Sequence, residues 1–186
     1  MQNPNCILLF SGKRKSGKDY ITDRLQNELG EEKSVIIKLS GPIKSHWAQA
    51  CNLNLNELLS DGEYKEEYRI QMVKWGENIR KKDYGYFCRA AIKMYNATNK
   101  SIWIVSDARR KTDIQWFMEN YGSLCRTIRI ICDDKIREQR GWIFTPGVDD
   151  SETECNLDDV EKWDLEIINE GQSIKSIIEN VLKIIG

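Results

Sequence analysis

The sequence predicts an α/β fold: one domain over residues 1–186, built on a five-stranded parallel sheet with helices on both faces and a basic lid at about 133–148. Two observations carry this expectation. Short apolar runs alternate with segments of helical periodicity, the pattern of parallel strands joined by crossover helices. The first apolar run also enters a loop of spacing GxxxxGK that opens directly into a helix.

Cys6 to Phe10 is almost wholly apolar and breaks at Ser11-Gly12, so it reads as a buried strand entering a loop. After Lys18, Ile21, Leu25 and Leu29 recur at helical spacing until Gly30 stops them. Ser34 to Leu39 is a second strand, ended by Ser40-Gly41-Pro42. Ile43 to Leu59 is helical, with an interruption near Asn52 to Asn56. Glu63 to Arg80 is a charged amphipathic helix, and Tyr86 to Tyr95 continues helically. Ser101 to Ser106 is the third strand, Ile114 to Tyr121 a helix, and Arg126 to Cys132 the fourth strand. Asp133 to Gly141 reads as a short basic helix and Thr145 to Asp159 as an acidic loop. Leu165 to Ile168 is the fifth strand, and Ile174 to Ile185 an amphipathic helix. No repeat or long linker divides the chain.

A net charge of -1 provides no global basic field for nucleic acid. No apolar run approaches a membrane span, and MQNPNC has no signal-peptide core. A cytoplasmic monomer with neither nucleic-acid nor membrane partner is expected. The six cysteines form no CxxC pair, as expected of reduced thiols. Asn96-Ala97-Thr98 matches a glycosylation sequon that an intracellular chain does not expose to that machinery. His46, the one histidine, excludes a multi-histidine metal site.

The loop Gly12-Lys13-Arg14-Lys15-Ser16-Gly17-Lys18 lies directly after a strand and before a helix, the context that makes GxxxxGK a phosphate loop of the P-loop NTPase class. Glycines let the backbone turn and aim N–H groups at phosphate oxygens. The helix N-terminus adds its positive dipole end, and Lys18 reaches the β and γ phosphates of ATP. The motif usually ends in Ser or Thr, whose hydroxyl binds Mg²⁺; Asp19 stands here instead. A carboxylate is also a hard oxygen ligand for Mg²⁺, and Lys13, Arg14 and Lys15 could offset its charge.

Ile102 to Ser106 is an apolar strand ending in Asp107, where an acid can hold Mg²⁺ or orient an acceptor beside a phosphate loop. Arg109 and Arg110 follow and can fork onto a phosphate or carboxylate. Arg137 and Arg140 lie three apart on a short helix and share a face. Turns at Gly141 and Thr145-Pro146-Gly147 would let that helix close as a lid over the γ phosphate. Lys65, Arg69 and Arg80 on the long charged helix could complete an acceptor pocket.

These stretches together resemble animal-type phosphomevalonate kinases. The residues that carry the likeness are LLFSGKRKSGKD (8–19), LSGPIK (39–44), YKEEYR (64–69), KWGE (74–77), SDARR (106–110), DIQWF (113–117), QRGWIFTPGVDD (139–150) and SETECNLD (151–158). The resemblance implies a nucleoside monophosphate kinase-like fold. It also implies transfer of the ATP γ-phosphoryl group to 5-phosphomevalonate in isoprenoid and sterol precursor synthesis. By the same resemblance, Lys13 to Asp19 hold ATP and Mg²⁺, and Lys18 neutralises the transferring group. Arg109, Arg110, Lys65, Arg69 and Arg80 hold the acceptor. Arg137 and Arg140 act from the lid, Arg140 on ATP. Asn169 is implied as a substrate contact, and Glu170, Lys175 and Glu179 as nucleotide contacts. Family members carry His at the position of Glu170. Some relatives end in a peroxisome-like tripeptide; Lys183-Ile184-Ile185-Gly186 carries no such address.

The residues alone leave two other readings open. A nucleoside monophosphate kinase would need aromatics to stack a base, which Tyr64, Tyr68 and Trp75 could supply. A nucleotide-sensing module would bind ATP without turnover.

Overall fold

The computed structural model describes residues 4–59 and 63–185, apart from the side chains of Glu63 and Lys65. Five strands form one sheet: β1 (Cys6–Gly12), β2 (Ser34–Ile37), β3 (Ile102–Val105), β4 (Cys125–Ile131) and β5 (Leu165–Ile168). All neighbours are parallel, in the order β2-β3-β1-β4-β5. The α/β parallel sheet expected from the sequence is therefore the observed one. Nine helices accompany it among the described residues. They are α1 (Lys18–Leu29), α2 (Gly41–Cys51), α3 (Leu55–Leu59), α4 (Glu63–Lys82), α5 (Tyr86–Met94), α6 (Lys111–Tyr121), α7 (Asp134–Gln139), α8 (Glu152–Cys155) and α9 (Ile174–Leu182).

The central strands β1 and β3 are buried on both faces, the edge strands β2 and β5 less so, and strand alternation sends successive side chains to opposite layers. Ile7, Leu9, Ile37, Trp103 and Val105 pack on one side with Cys88 and Ala91 of α5 and Phe117 of α6. Leu8, Phe10, Ile104, Ile128 and Ile130 pack on the other with Ile21 and Leu25 of α1 and Ile177 and Val181 of α9. A third cluster, around Ala48, Leu58 and Met72, joins α2, α3 and α4. No described helix is long and apolar enough to cross a membrane.

Several boundaries differ from the sequence reading by a residue or more, α8 lies inside the stretch read as an acidic loop, and two of the differences shape the site. β1 runs on through Ser11 and Gly12, which pair in register with Arg129 and Ile130 of β4. α6 starts at Lys111 rather than Ile114, because Asp113 supplies the carboxylate half of a capping box, accepting from the Arg110 backbone N–H while its own N–H donates to the Arg110 carbonyl. β1 is the central strand, and its neighbours leave in opposite directions. The crevice beyond its carboxyl end is where a parallel α/β sheet presents ligands.

Candidate active site

The loop after β1 is shaped by close approach. A Cβ on Gly12 would lie 2.8 Å from Ser16 Oγ and 3.0 Å from the Ile130 carbonyl. A Cβ on Gly17 would lie 2.3 Å from Asn169 Nδ2, and Gly17 has φ 89°. Lys15 also takes a left-handed conformation, at φ 59°. The loop's carbonyls are held by side chains that follow the carboxyl ends of β4 and β5. Asn169 Nδ2 donates to Ser16 O at 2.8 Å, and Arg140 Nη1 donates to the same oxygen at 3.0 Å. Arg137 Nε donates to Arg14 O at 2.8 Å. With the carbonyls turned to these donors, the loop is shaped to present its amides to an anion.

Lys18 opens α1 and is buried; its ammonium donates to Ser106 O and lies 3.0 Å from Asp19 Oδ1. Burial alone would raise the Asp19 carboxyl, but the Lys18 charge and hydrogen bond, with Lys38 and Arg109 beyond, hold it below the usual carboxylate range. Asp19 is thus an ionised, largely exposed oxygen donor beside the loop, which suits a Mg²⁺ ion shared with phosphates. Asp107 is more occupied. Its two oxygens accept from the Leu39 and Ser40 amides, so it fixes the turn between β2 and α2 and has only residual lone pairs for a metal or a metal-bound water.

Across the crevice, Asp113 Oδ2 accepts from the amides of both Arg109 and Arg110, each at 3.1 Å. That pins the corner from which the two side chains diverge. Arg109 pairs with Glu154 of α8, and Arg110 with Glu77 of α4. Arg80 lies 3.5 Å from Asp113 and over the Phe87 ring at 4.6 Å. Burial, then the neighbouring Arg80 charge, lowers the Arg110 pKa. Nε of Arg80 and Nε of Arg110 are buried with no hydrogen-bond partner. Arg69 pairs with Glu66 one helical turn away.

The loop and these arginines line one cavity of about 510 Å³, in which, among the described residues, eleven Lys and Arg face six Asp and Glu. Such a surplus, in a chain whose net charge is -1, is a local field built for anions. Leu39, Ile43, Met72 and Val73 supply an apolar wall between the charged groups.

A family model described as phosphomevalonate kinase matches residues 10–123. The phosphomevalonate kinase of Drosophila melanogaster is 46% identical over 179 residues, covering 95% of this chain and 94% of its own. The chain belongs to the phosphomevalonate kinase family. Solved structures bear on the fold. The APS kinase of Mycobacterium tuberculosis, in complex with AMPPNP and APS, superimposes at a TM-score of 0.55 with 13% identity, covering 98% of both chains. A gluconokinase from Sinorhizobium meliloti 1021 gives 0.53 with 13% identity, covering 100% of this chain and 93% of its own.

The span matched by the family model holds the loop, α4 and the Arg109–Arg110 corner, and ends before α7 and Asn169. Among the residues singled out from the sequence, Lys13 to Asp19, Arg69, Arg80, Asp107, Arg109, Arg110 and Arg140 all line the cavity. Arg137 does not: it is buried against the Trp142 ring at 3.8 Å and supports the loop from behind. Asn169 touches the loop from its outer side. Glu170, Lys175 and Glu179 are exposed and lie off the cavity lining. Lys65 lies on α4 with its side chain outside the described residues. Lys38, Lys44, Glu77, Asp113 and Glu154 also line the cavity and were not singled out. Of these, Lys44, Glu77, Asp113 and Glu154 stand inside the family stretches quoted above, which was the one available signal.

Proposed function

We propose that the chain transfers the γ-phosphoryl group of ATP to 5-phosphomevalonate, giving 5-diphosphomevalonate and ADP. The observation that carries this reading is the single cavity shared by the phosphate loop and the Arg109–Arg110 corner, with its surplus of cations. Transfer between two phosphates is a problem of bringing anions together and screening their repulsion. A phosphate monoester is already a nucleophile, so no general base is required.

In this reading Gly12 to Asp19 cradle the phosphates of ATP, and Lys18 leaves the Ser106 carbonyl for the β and γ oxygens. Asp19 would hold Mg²⁺, with Asp107 reaching it through water. When bound, that ion neutralises charge between the β and γ phosphates. Arg69, Arg80, Arg109 and Arg110, with Lys65 on the same helix as Arg69, take the acceptor's phosphate and carboxylate. Arg137 and Arg140 ride on the lid at about 133–148; Arg140 reaches the nucleotide on closure, and Arg137 acts through the loop it braces. Asn169 contacts substrate, and Glu170, Lys175 and Glu179 extend the nucleotide side. A cytosolic monomer belongs to the same proposal.

The reading in which aromatics stack a base loses its support. Tyr64 and Tyr68 pack edge to face on each other, and Trp75 stacks on His46 at 4.1 Å. Among the described residues Tyr20 is the one aromatic in the lining, whereas Met72, Val73 and Ile43 fit an aliphatic acid. Coupled ADP release with 5-phosphomevalonate against a panel of nucleoside monophosphates tests the reading. Turnover confined to 5-phosphomevalonate is expected; preference for a nucleoside monophosphate sinks it, and ATP binding without turnover supports the sensing module.

A further inference from the structure

A carboxylate already occupies a position suited to a substrate phosphoryl group. Glu154 on α8 has a side chain only 2% exposed, and it lines the cavity. Its Oε1 is paired with Arg109 Nη1, and its Oε2 accepts from the backbone N–H of Arg14 at 3.3 Å. A loop amide and an acceptor guanidinium are the donors that a phosphoryl oxygen between the two substrates would use. Glu154 fills them from within the protein. Its segment is tied to the same loop on both sides. Asp149 pairs with Arg14 at 3.0 Å, and Asp158 pairs with Lys13. The helix that carries Glu154 has four residues, so it can open locally and swing the carboxylate aside when a ligand competes for its donors.

We propose that Glu154 is a specificity-determining residue: a resident carboxylate that holds Arg109 and the Arg14 amide until a dianionic phosphate on the acceptor displaces it. The inference rests on the acceptor role of Arg109 proposed above. Exchanging one monoanion for another gives Arg109 no additional charge, so a ligand carboxylate has no electrostatic advantage over Glu154. A phosphate monoester brings nearly two charges and three acceptor oxygens at neutral pH. It enters a cavity where cations outnumber carboxylates. The competition built into the site therefore rejects acids that lack the phosphate. This is discrimination by a repulsive element rather than by added contacts to the correct ligand.

Equilibrium binding of 5-phosphomevalonate and of its unphosphorylated parent acid, to wild-type and Glu154→Gln protein, tests this. Glutamine keeps the shape and an oxygen acceptor without the charge. Both acids should bind the variant more tightly, the parent acid by about tenfold, as expected when a like charge leaves a site. Unchanged or weaker binding of the parent acid to a folded variant overturns the inference. Equal weakening of both acids overturns it too, since that is the signature of a residue that only positions Arg109. If the variant does not fold, hydrogen exchange on wild-type protein decides. The phosphorylated acid alone should speed exchange at the Cys155 and Asn156 amides, which close α8 onto Ser151 and Glu152, and the parent acid should not. No acceleration with the phosphorylated acid overturns the inference. Any of these negative results, in wild-type protein that turns over 5-phosphomevalonate, removes this inference alone; wild-type protein without that turnover removes the proposed function.

Discussion

The Lys18 ammonium donates to the main-chain carbonyl of Ser106 at 2.5 Å, tying the first residue of α1 to the end of β3. The cation of the phosphate loop is thereby held at the mouth of the crevice, buried and already stripped of most of its water. Lys18→Met keeps the stem and removes the charge. Turnover should fall by on the order of 10²–10³, as for other donors aimed at developing charge. The lost hydrogen bond costs about 1 kcal/mol, so the variant should still fold. The rate and the thermal melt of one preparation check both statements, and near-normal turnover of a folded variant refutes the assignment.

Arg110 is buried, pairs with Glu77 and keeps an unpartnered Nε. Arg110→Ala should raise the KM of the acceptor more than that of ATP, because the group faces α4 rather than the loop. Initial-rate kinetics varying each substrate in turn separate the two. A defect confined to ATP would move Arg110 to the nucleotide side.

Asp113 serves the same corner through the backbone. Its carboxylate closes the capping box of α6, accepts from two successive amides and lies beside Arg80. Asp113→Ala should lower stability by about 1–2 kcal/mol for the lost cap, and more for the buried guanidinium it abandons. Chemical denaturation measures this. A second consequence separates Asp113 from an ordinary cap: the acceptor KM should rise in the folded fraction, because Arg109 and Arg110 lose their common anchor.

Asp19 has a carboxyl held below its ordinary value, since Lys18 outweighs the effect of burial. A group with a lowered folded pKa contributes stability above its unfolded pKa and loses it as pH falls through the folded one. The Tm deficit of Asp19→Asn relative to wild type should therefore be full at neutral pH and shrink below about pH 4. The same variant should need more Mg²⁺ for half-maximal turnover. A deficit that stays constant across the acid range would show that the Lys18–Asp19 charge pair is not its source.

The sheet was legible because each strand is a short apolar run closed by Gly, Pro or Asp, and because the loop motif names its own strand and helix. Lys13 to Asp19, Asp107 and the Arg109–Arg110 pair were legible for the same reason: each lies at the end of a strand. What escaped was tertiary pairing. Asp149, Glu154 and Asp158 read as an acidic loop, yet they clasp Arg14, Arg109 and Lys13 from more than forty residues away along the chain. Nothing in local spacing announces such partners. Tyr64, Tyr68 and Trp75 misled in the opposite sense. Their helical spacing offers a stacking surface, but their rings are taken up by one another and by His46. α6 began early because an arginine backbone received the cap, which residue-type preferences do not anticipate.

The segment from about 133 to 148 is expected to close over the nucleotide. α7 is fastened to the loop at its base by Arg137 to Arg14 O and by Arg140 to Ser16 O. Beyond it, Gly141 and Gly147 both take left-handed φ, at 80° and 77°, so the stretch between them is bounded by two permissive joints. Its tip carries Ile143 and Phe144, which are 79% and 53% exposed. Two apolar side chains left in water, three and four residues beyond the cavity-lining Arg140, gain by being covered, and a kinase gains by excluding water that would hydrolyse ATP. Arg140→Ala should lower kcat strongly, with a smaller effect on acceptor binding in the open state. Ile143→Ser should leave the melt unchanged and raise ADP release in the absence of acceptor. Amide exchange across 142–148 should be fast in the apo protein and slow only with both substrates bound. Equal protection in both states would make this a fixed wall, and Arg137 and Arg140 permanent braces of the loop.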